Sequence, residues 1–255
     1  MDTSSSYSSL RRFNLVMAAL HFVQGVAMLV VSSDFSLPVT ASFLELDPKT
    51  ELLKPVPETL FNMQIGPVVA SFLFMSALAH LAVSMPPIYG WYVKNLGKGV
   101  NYARWIEYAV SSSIMIVVIS MLVGVYDVIS LMLVFALNAA MILFGWMMEL
   151  HNQTTEKTNW TSYWFGVLAG IVPWLAVSVY LAGSESRGDV PGFVYGIYVS
   201  LFLFFNVFAV NMVLQYKKIG RWRDYLFGER AYIVLSLSAK SLLAWQVFAG
   251  TLQPA

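Results

Sequence analysis

Residues 231–250 read AYIVLSLSAKSLLAWQVFAG. A run of about 20 predominantly apolar residues is what a helix needs to cross a hydrocarbon core of roughly 30 Å. Its one charge, Lys240, stands nine residues after Ala231, roughly 13 Å along a helix at 1.5 Å per residue, and so near the middle of the span. Working outward, six further segments have the same character, at about 13–31, 61–85, 103–125, 128–148, 163–182 and 191–215. Their ends are marked by Pro86-Pro87, the Tyr126-Asp127 turn, the polar stretch from His151 to Asn159, Gly183 to Gly188, and the basic stretch from Lys217 to Arg230. The fold class predicted is an all-α membrane protein, a bundle of seven transmembrane helices.

Composition agrees. The chain of 255 residues is 58% hydrophobic and 11% charged, against roughly 25% charged in soluble proteins. Cysteine is absent, which excludes disulfides, thiolate metal sites and cysteine nucleophiles. A formal net charge of +1 implies no nucleic-acid partner; the expected partner is the lipid bilayer. Residues 1–12 are Ser-rich, end in Arg11-Arg12 and lead into the first apolar run without a small-residue cleavage site. They are expected as an N-terminal tail, followed by one domain over 13–255 whose outer loop is 32–60.

Short basic loops stay in the cytoplasm. With the N-terminus inside, the inner segments hold eleven basic residues, from Arg11 and Arg12 through Lys94, Lys98, Arg104 and Lys157 to the five between Lys217 and Arg230. The outer segments hold three, Lys49, Lys54 and Arg187. The expected localisation is a multi-pass cell-membrane protein, N-terminus in and C-terminus out. The long outer loop carries an alternating stretch from Val39 to Leu44 followed by Asp47-Pro48-Lys49-Thr50, which fits either a small β-hairpin or an irregular loop.

An ionisable group in hydrocarbon costs at least about 2.5–3.5 kcal/mol, so one that persists faces the bundle and has a partner. Of the bases only Lys240 is expected inside a span, and of the acids only Glu107; Glu149 falls at an inner helix end and Asp127 in an outer turn. Two readings of the pair stand. It either locks two helices together, or burial keeps the lysine amine available to condense with an aldehyde, Glu107 then neutralising the protonated imine. Glu107 is the shallower of the two, only a turn from its helix end.

Other polar residues sort toward the same interior. Ser236 precedes Lys240 by one turn, and Ser111 follows Glu107 by one, with Ser112 and Met115 on a neighbouring stripe. His21 with Gln24, and Ser76 with His80, form inward pairs able to hold water or accept a proton. Apart from Glu107, no third ligand is at hand to complete a metal site with the two histidines, since His151 is in a loop, and proton acceptance or a hydrogen-bond network is the expected role. A polyene would also need a slot with flat walls and a small floor, for which Asn138, Met141, Ile142 and Gly145, Trp164, Gly170 and Trp174, and Phe202, Phe205 and Asn206 are candidates.

Several stretches carry a resemblance: Arg104-Trp105-Ile106-Glu107-Tyr108-Ala109-Val110-Ser111-Ser112-Ser113, residues 138–146 (NAAMILFGW), residues 190–196 (VPGFVYG), and residues 228–241 (GERAYIVLSLSAKS). From Phe13 onward the chain closely resembles the heliorhodopsins. That resemblance implies a rhodopsin-like bundle binding all-trans retinal, with Lys240 as the Schiff-base lysine, Glu107 as counterion, and His21, Gln24, Ser76 and His80 as the group that receives the proton. It also implies a homodimer, a slow photocycle suited to signalling, and an orientation inverted from ordinary microbial rhodopsins, in line with the charge count. The N-terminal tail and outer loop depart from the pattern.

Ordinary microbial rhodopsins have a second aspartate counterion where Ser236 stands, and the outer halves of these spans hold no carboxylate. The expected function is therefore a light sensor, not an enzyme, that passes a change through the 217–230 loop to a cytoplasmic signalling partner. A light-gated or light-driven ion transporter is the alternative. A seven-helix receptor or intramembrane enzyme without retinal is a third class, but no Asp-Arg-Tyr, Asn-Pro-x-x-Tyr or protease constellation supports it.

Overall fold

The computed structural model describes residues 3–188 and 190–253. Eight α-helices and two strands follow one another as α1 (Thr3–Val31), β1 (Ser36–Leu46), β2 (Leu53–Gln64), α2 (Ile65–Ala82), α3 (Pro86–Leu96), α4 (Tyr102–Leu122), α5 (Val128–His151), α6 (Thr161–Glu185), α7 (Gly192–Tyr216) and α8 (Tyr225–Val247). Seven helices, all but α3, are long and apolar enough to cross a membrane. Their outward faces carry exposed side chains such as Val30, Leu168 and Val179, the surface that lipid covers, while helical hydrogen bonding satisfies the backbone within each span.

Charged residues near helix ends blurred the expected boundaries. Residues 3–12, expected as a tail, are the first turns of α1. Leu10 is buried there, Arg11 Nε donates to the Ser84 carbonyl at 2.8 Å and its guanidinium lies over the Tyr89 ring. Likewise α8 starts at Tyr225 rather than near 231, because Asp224 caps it by accepting from the Leu226 amide at 2.9 Å. The 217–230 stretch is thus a short loop, a 3-10 turn over Gly220–Arg223, and the start of the last span. Helix α3 was not foreseen. Its two starting prolines suit a helix N-terminus, and it buries Tyr92 and Leu96 while Ile88 and Trp91 stay exposed.

The 32–60 loop forms the hairpin, not the irregular alternative. β1 and β2 pair antiparallel from Ser36 with Gln64 to Leu46 with Leu53, with a bulge between Val39 and Thr40. β2 takes up 61–64, so the second span starts at Ile65. Lys49 N donates to Asp47 Oδ1 at 2.9 Å in the turn, and the Lys54 ammonium, paired with the Asp47 carboxylate, holds that carboxyl below its usual range. At the other end Val39 is buried and Thr40 N donates to Tyr126 O at 2.9 Å, seating the hairpin on the α4–α5 turn.

Beneath it lies an apolar plug in which Phe72 and Leu73, Ile116 and Ile119, and Leu243 and Val247 interdigitate. It fills the half of the bundle nearest the hairpin. Polar and charged side chains collect in the other half.

Thr40→Pro removes the one amide that ties the hairpin to Tyr126. Hydrogen exchange over 36–46 is expected to accelerate while protection of the seven spans stays unchanged.

Candidate functional site

Lys240 is 2% exposed. Its Nζ donates to Glu107 Oε1 at 2.7 Å, to Ser76 Oγ at 2.6 Å and to Ser236 Oγ at 3.1 Å, so the three donors of an ammonium are all engaged. Ser76 Oγ in turn donates to Glu107 Oε1 at 2.7 Å. The Tyr108 ring lies 5.2 Å below the same nitrogen.

Side-chain direction removes the difference in depth that the sequence suggested. Helix α8 enters from the side of the N-terminus, and side chains on a helix lean toward its own N-terminus. The long lysine stem therefore reaches down to Glu107. Ser236, a turn earlier on α8, meets it on the way.

Below the pair, His21 on α1 stacks on His80 on α2, with ring centroids 5.7 Å apart and planes 14° apart. His80 Nδ1 lies 2.8 Å from Asn14 Oδ1, and both nitrogens of His21 are buried without a hydrogen-bond partner among the described residues. Asn14 was not among the expected residues, although its spacing of seven from His21 puts it on the same helix face. Gln24 does not join the group. It lies at the edge of the α1 contact face, where its side-chain oxygen accepts from Trp245 Nε1 at 3.1 Å, because the buried stripe of α1 runs through Asn14, Met17, His21 and Met28.

Two adjoining cavities lead away from Lys240. The first, about 50 Å³, is lined by Ser111, Ser112, Met115 and Ser236; the second, about 220 Å³, by Gly145, Tyr163, Gly170, Trp174, Phe202 and Asn206. They share the walls Tyr108, Met141, Ile142, Phe205 and Phe208. Two glycines set the width: a Cβ on Gly145 would fall 2.5 Å from the Trp105 ring, and one on Gly170 2.2 Å from Met141 Sδ. Asn138 stands behind this lining, buried, donating to Ser112 Oγ at 2.8 Å and Ser113 Oγ at 3.0 Å. Trp164 does not line the slot. It is 62% exposed, because the inward stripe of α6 is Tyr163, Gly166, Gly170 and Trp174, and Trp164 sits off that stripe.

The census of one buried cation facing one buried anion is corrected by a second cluster. Arg104 on α4, 6% exposed, lies between Glu149 on α5 and Glu229 on α8, which are 3% and 1% exposed. It pairs with both carboxylates, at 2.5 Å to Glu229 Oε1. Trp105 Nε1 donates to Glu149 Oε2 at 2.5 Å, and Asn101 donates to both acids, through its amide to Glu149 at 3.1 Å and through Nδ2 to Glu229 at 2.7 Å. The guanidinium is held over the Trp105 ring at 4.3 Å and the Tyr232 ring at 3.9 Å. At or beyond the ends of the expected spans, all three charges read as ordinary span-end residues. The signal that could have found them is the mismatch of one base with two acids at matching depth.

The heliorhodopsin family model matches residues 10–252. The chain belongs to the heliorhodopsin family. Membership makes it a multi-pass membrane protein of the retinal photoreceptor kind. No curated protein sequence matches the chain. Among solved structures it is similar to the crystal structure of a light-driven proton pump, LR (Mac), from Leptosphaeria maculans, with TM-score 0.65, 15% identity, and coverage of 96% of this chain and 95% of that one. At that identity the likeness shows the shared rhodopsin fold alone.

Arg104→Met leaves two buried carboxylates without their cation, and removing one partner from such a network costs about 3–5 kcal/mol. Denaturant unfolding followed by helical circular dichroism should show a loss of that size. Exposed Arg12→Met is expected to stay within about 0.5 kcal/mol.

Proposed function

We propose that this heliorhodopsin is a light sensor holding all-trans retinal on Lys240, with Glu107 as counterion, and that it signals without pumping ions. The observation that carries the reading is the buried Lys240 Nζ, 2.7 Å from its carboxylate partner and at the head of an apolar slot. The slot fits a polyene: glycines at 145 and 170 leave room that a Cβ would fill, and the walls are aromatic and thioether side chains. Retinal, joined to Lys240 as a protonated Schiff base, supplies light absorption and isomerisation.

The chain's own groups do the rest. Glu107 stabilises positive charge at Nζ, and Ser76 and Ser236 orient the nitrogen toward it. A proton leaving Nζ has imidazole acceptors on the N-terminal side, where His80 and His21 lie beyond Ser76 and Asn14 lies 2.8 Å from the His80 ring nitrogen. In the opposite direction the Phe72, Ile119 and Leu243 plug offers no acceptor, which favours a returning proton over a transported one. The basic-loop count supports an orientation with the N-terminus in the cytoplasm, so that this polar half faces the cell interior. There the 217–224 loop would meet a signalling partner, with a homodimer as the working assembly. A non-enzymatic role follows from the same reading.

Protein expressed with retinal should show a visible band that Lys240→Ala abolishes; a band in that variant would sink the assignment. Glu107→Gln is expected to redshift the band, since a weaker counterion stabilises the ground state less. Vesicles carrying the protein should show no light-driven change in external pH under a glass electrode, and a sustained change would favour the transporter reading instead. His80→Phe, with the band retained, is expected to alter the kinetics of the deprotonated species by at least severalfold in flash spectroscopy.

A further inference from the structure

On the N-terminal side of the bundle a cleft of about 330 Å³ opens among three connections: the turn before α4, the α5–α6 loop and the α7–α8 loop. Its lining includes the cations Lys98, Lys218 and Arg223 and one exposed acid, Glu156. Among the described residues none of these three cations has an ion-pair partner. At its floor are the buried Glu149, which shares the single cation Arg104 with Glu229, and Tyr225, whose buried hydroxyl has no hydrogen-bond partner among the described residues. The unengaged groups are thus mainly donors and cations. Lys218, with a left-handed backbone at φ of 52°, ends α7, Ile219 N donating back to Leu214 O at 3.1 Å, which turns the chain into the cleft wall.

The walls of the cleft and of the slot have no residue in common but are joined by a hydrogen bond. Trp105 and Tyr232 line the slot and between them enclose the Arg104 guanidinium. Trp105 Nε1 donates to Glu149, and Glu149 lines the cleft. A shift of the Trp105 ring, which rests on the bare Cα of Gly145, moves a hydrogen bond at the cleft floor.

We propose that this cleft binds a small anion bearing a phosphate or carboxylate group, and that its occupancy is coupled to the chromophore slot through Trp105, Arg104 and Glu149. The coupling rests on the photoreceptor reading; the binding does not. Coupling between two sites is reciprocal, so an anion in the cleft alters the chromophore as light alters the cleft.

Calorimetric titration of the full chain with inorganic phosphate, at fixed ionic strength and with chloride as control, tests the site with or without retinal. Saturable binding is expected, weakened at least tenfold in the double variant Lys218→Gln, Arg223→Gln and unchanged in Arg12→Gln. Heat that follows ionic strength alone, or equal binding in the double variant, overturns the site. The same titration in vesicles with and without phosphatidylglycerol identifies the source, since phosphate binding lost only with anionic lipid assigns the cleft to a lipid headgroup. For the coupling, saturating phosphate should change flash-induced recovery at least twofold in the wild type and not in Trp105→Phe, or in Glu149→Gln should the former lose its band. Unchanged recovery in the wild type overturns the coupling. A colourless protein that still binds phosphate overturns the photoreceptor reading and the coupling, and leaves the site standing.

Discussion

A charged nitrogen in the middle of a membrane span is tolerated only where the protein replaces the water it has lost. Around Lys240 that replacement comes from three helices at once: Glu107 from α4, Ser76 from α2 and Ser236 from α8 itself. The requirement sets the rotation of each helix about its own axis, because a turn of even one residue would swing Ser76 or Glu107 out of reach. It also fixes where the slot can begin. The aromatic walls of α4, α6 and α7 are placed by that rotation, since Tyr108 is the residue next to Glu107 and Ser111 lies one turn beyond it.

Helix α4 links this constraint to a second one. Within a single turn it presents Arg104 to the cluster with Glu149 and Glu229, Trp105 to both that cluster and the slot, and Glu107 to Lys240. Arg104 and Glu107 are three residues apart, while their partners Glu229 and Lys240 on α8 are eleven apart, a difference in axial offset of about 12 Å at 1.5 Å per residue. The long arginine and lysine stems span it by leaning toward the N-terminal side, as parallel helices make them do. Two ionic contacts at different levels thus fix the register of α4 against α8, and neither contact could shift alone. That rigidity makes α4 the element most directly moved by a change in the slot.

Legibility in the sequence followed how strongly each residue broke a local rule. Lys240 sits among uncharged residues for two turns either side, so its meaning survives without any structure, and the one acid expected inside a span made Glu107 its partner. Arg104, Glu149 and Glu229 break no local rule, because charges at span ends are ordinary; only the packing of three helices reveals that they are enclosed. The seven spans are visible as apolar runs, but their ends are not, since α1 and α8 begin in polar sequence held by Arg11 on Ser84 and by the Asp224 cap. The errors of Trp164 and Gln24 have a common source. Both lie one helical step from the correct stripe, and an all-round apolar or weakly polar membrane helix gives little periodicity with which to choose a face. The hairpin, in contrast, follows the alternation from Val39 to Leu44, although the bulge at Thr40 that turns it onto Tyr126 does not show in that pattern.

The distribution of polarity about Lys240 bears on why such a scaffold would sense rather than pump. Vectorial transport needs an acceptor on one side of the reacting nitrogen and a donor on the other, with access switching between them. Here the hairpin side is closed twice, first by the interdigitated Phe72, Ile116 and Leu243 and then by the hairpin seated on Tyr126. On the other side polar groups descend in steps, from Glu107 and Ser76 to the stacked histidines and, on the neighbouring helices, to the Arg104 cluster and the open cleft. In the sensor proposed above, a proton displaced from the nitrogen would wait among these groups, and the apolar plug would bar the opposite face. The same steps bring a mechanical route, through Trp105, to the surface where loops are free to respond. In that proposed sensor, storage of the proton and transmission of the movement would share one half of the bundle, with the apolar half closing the other.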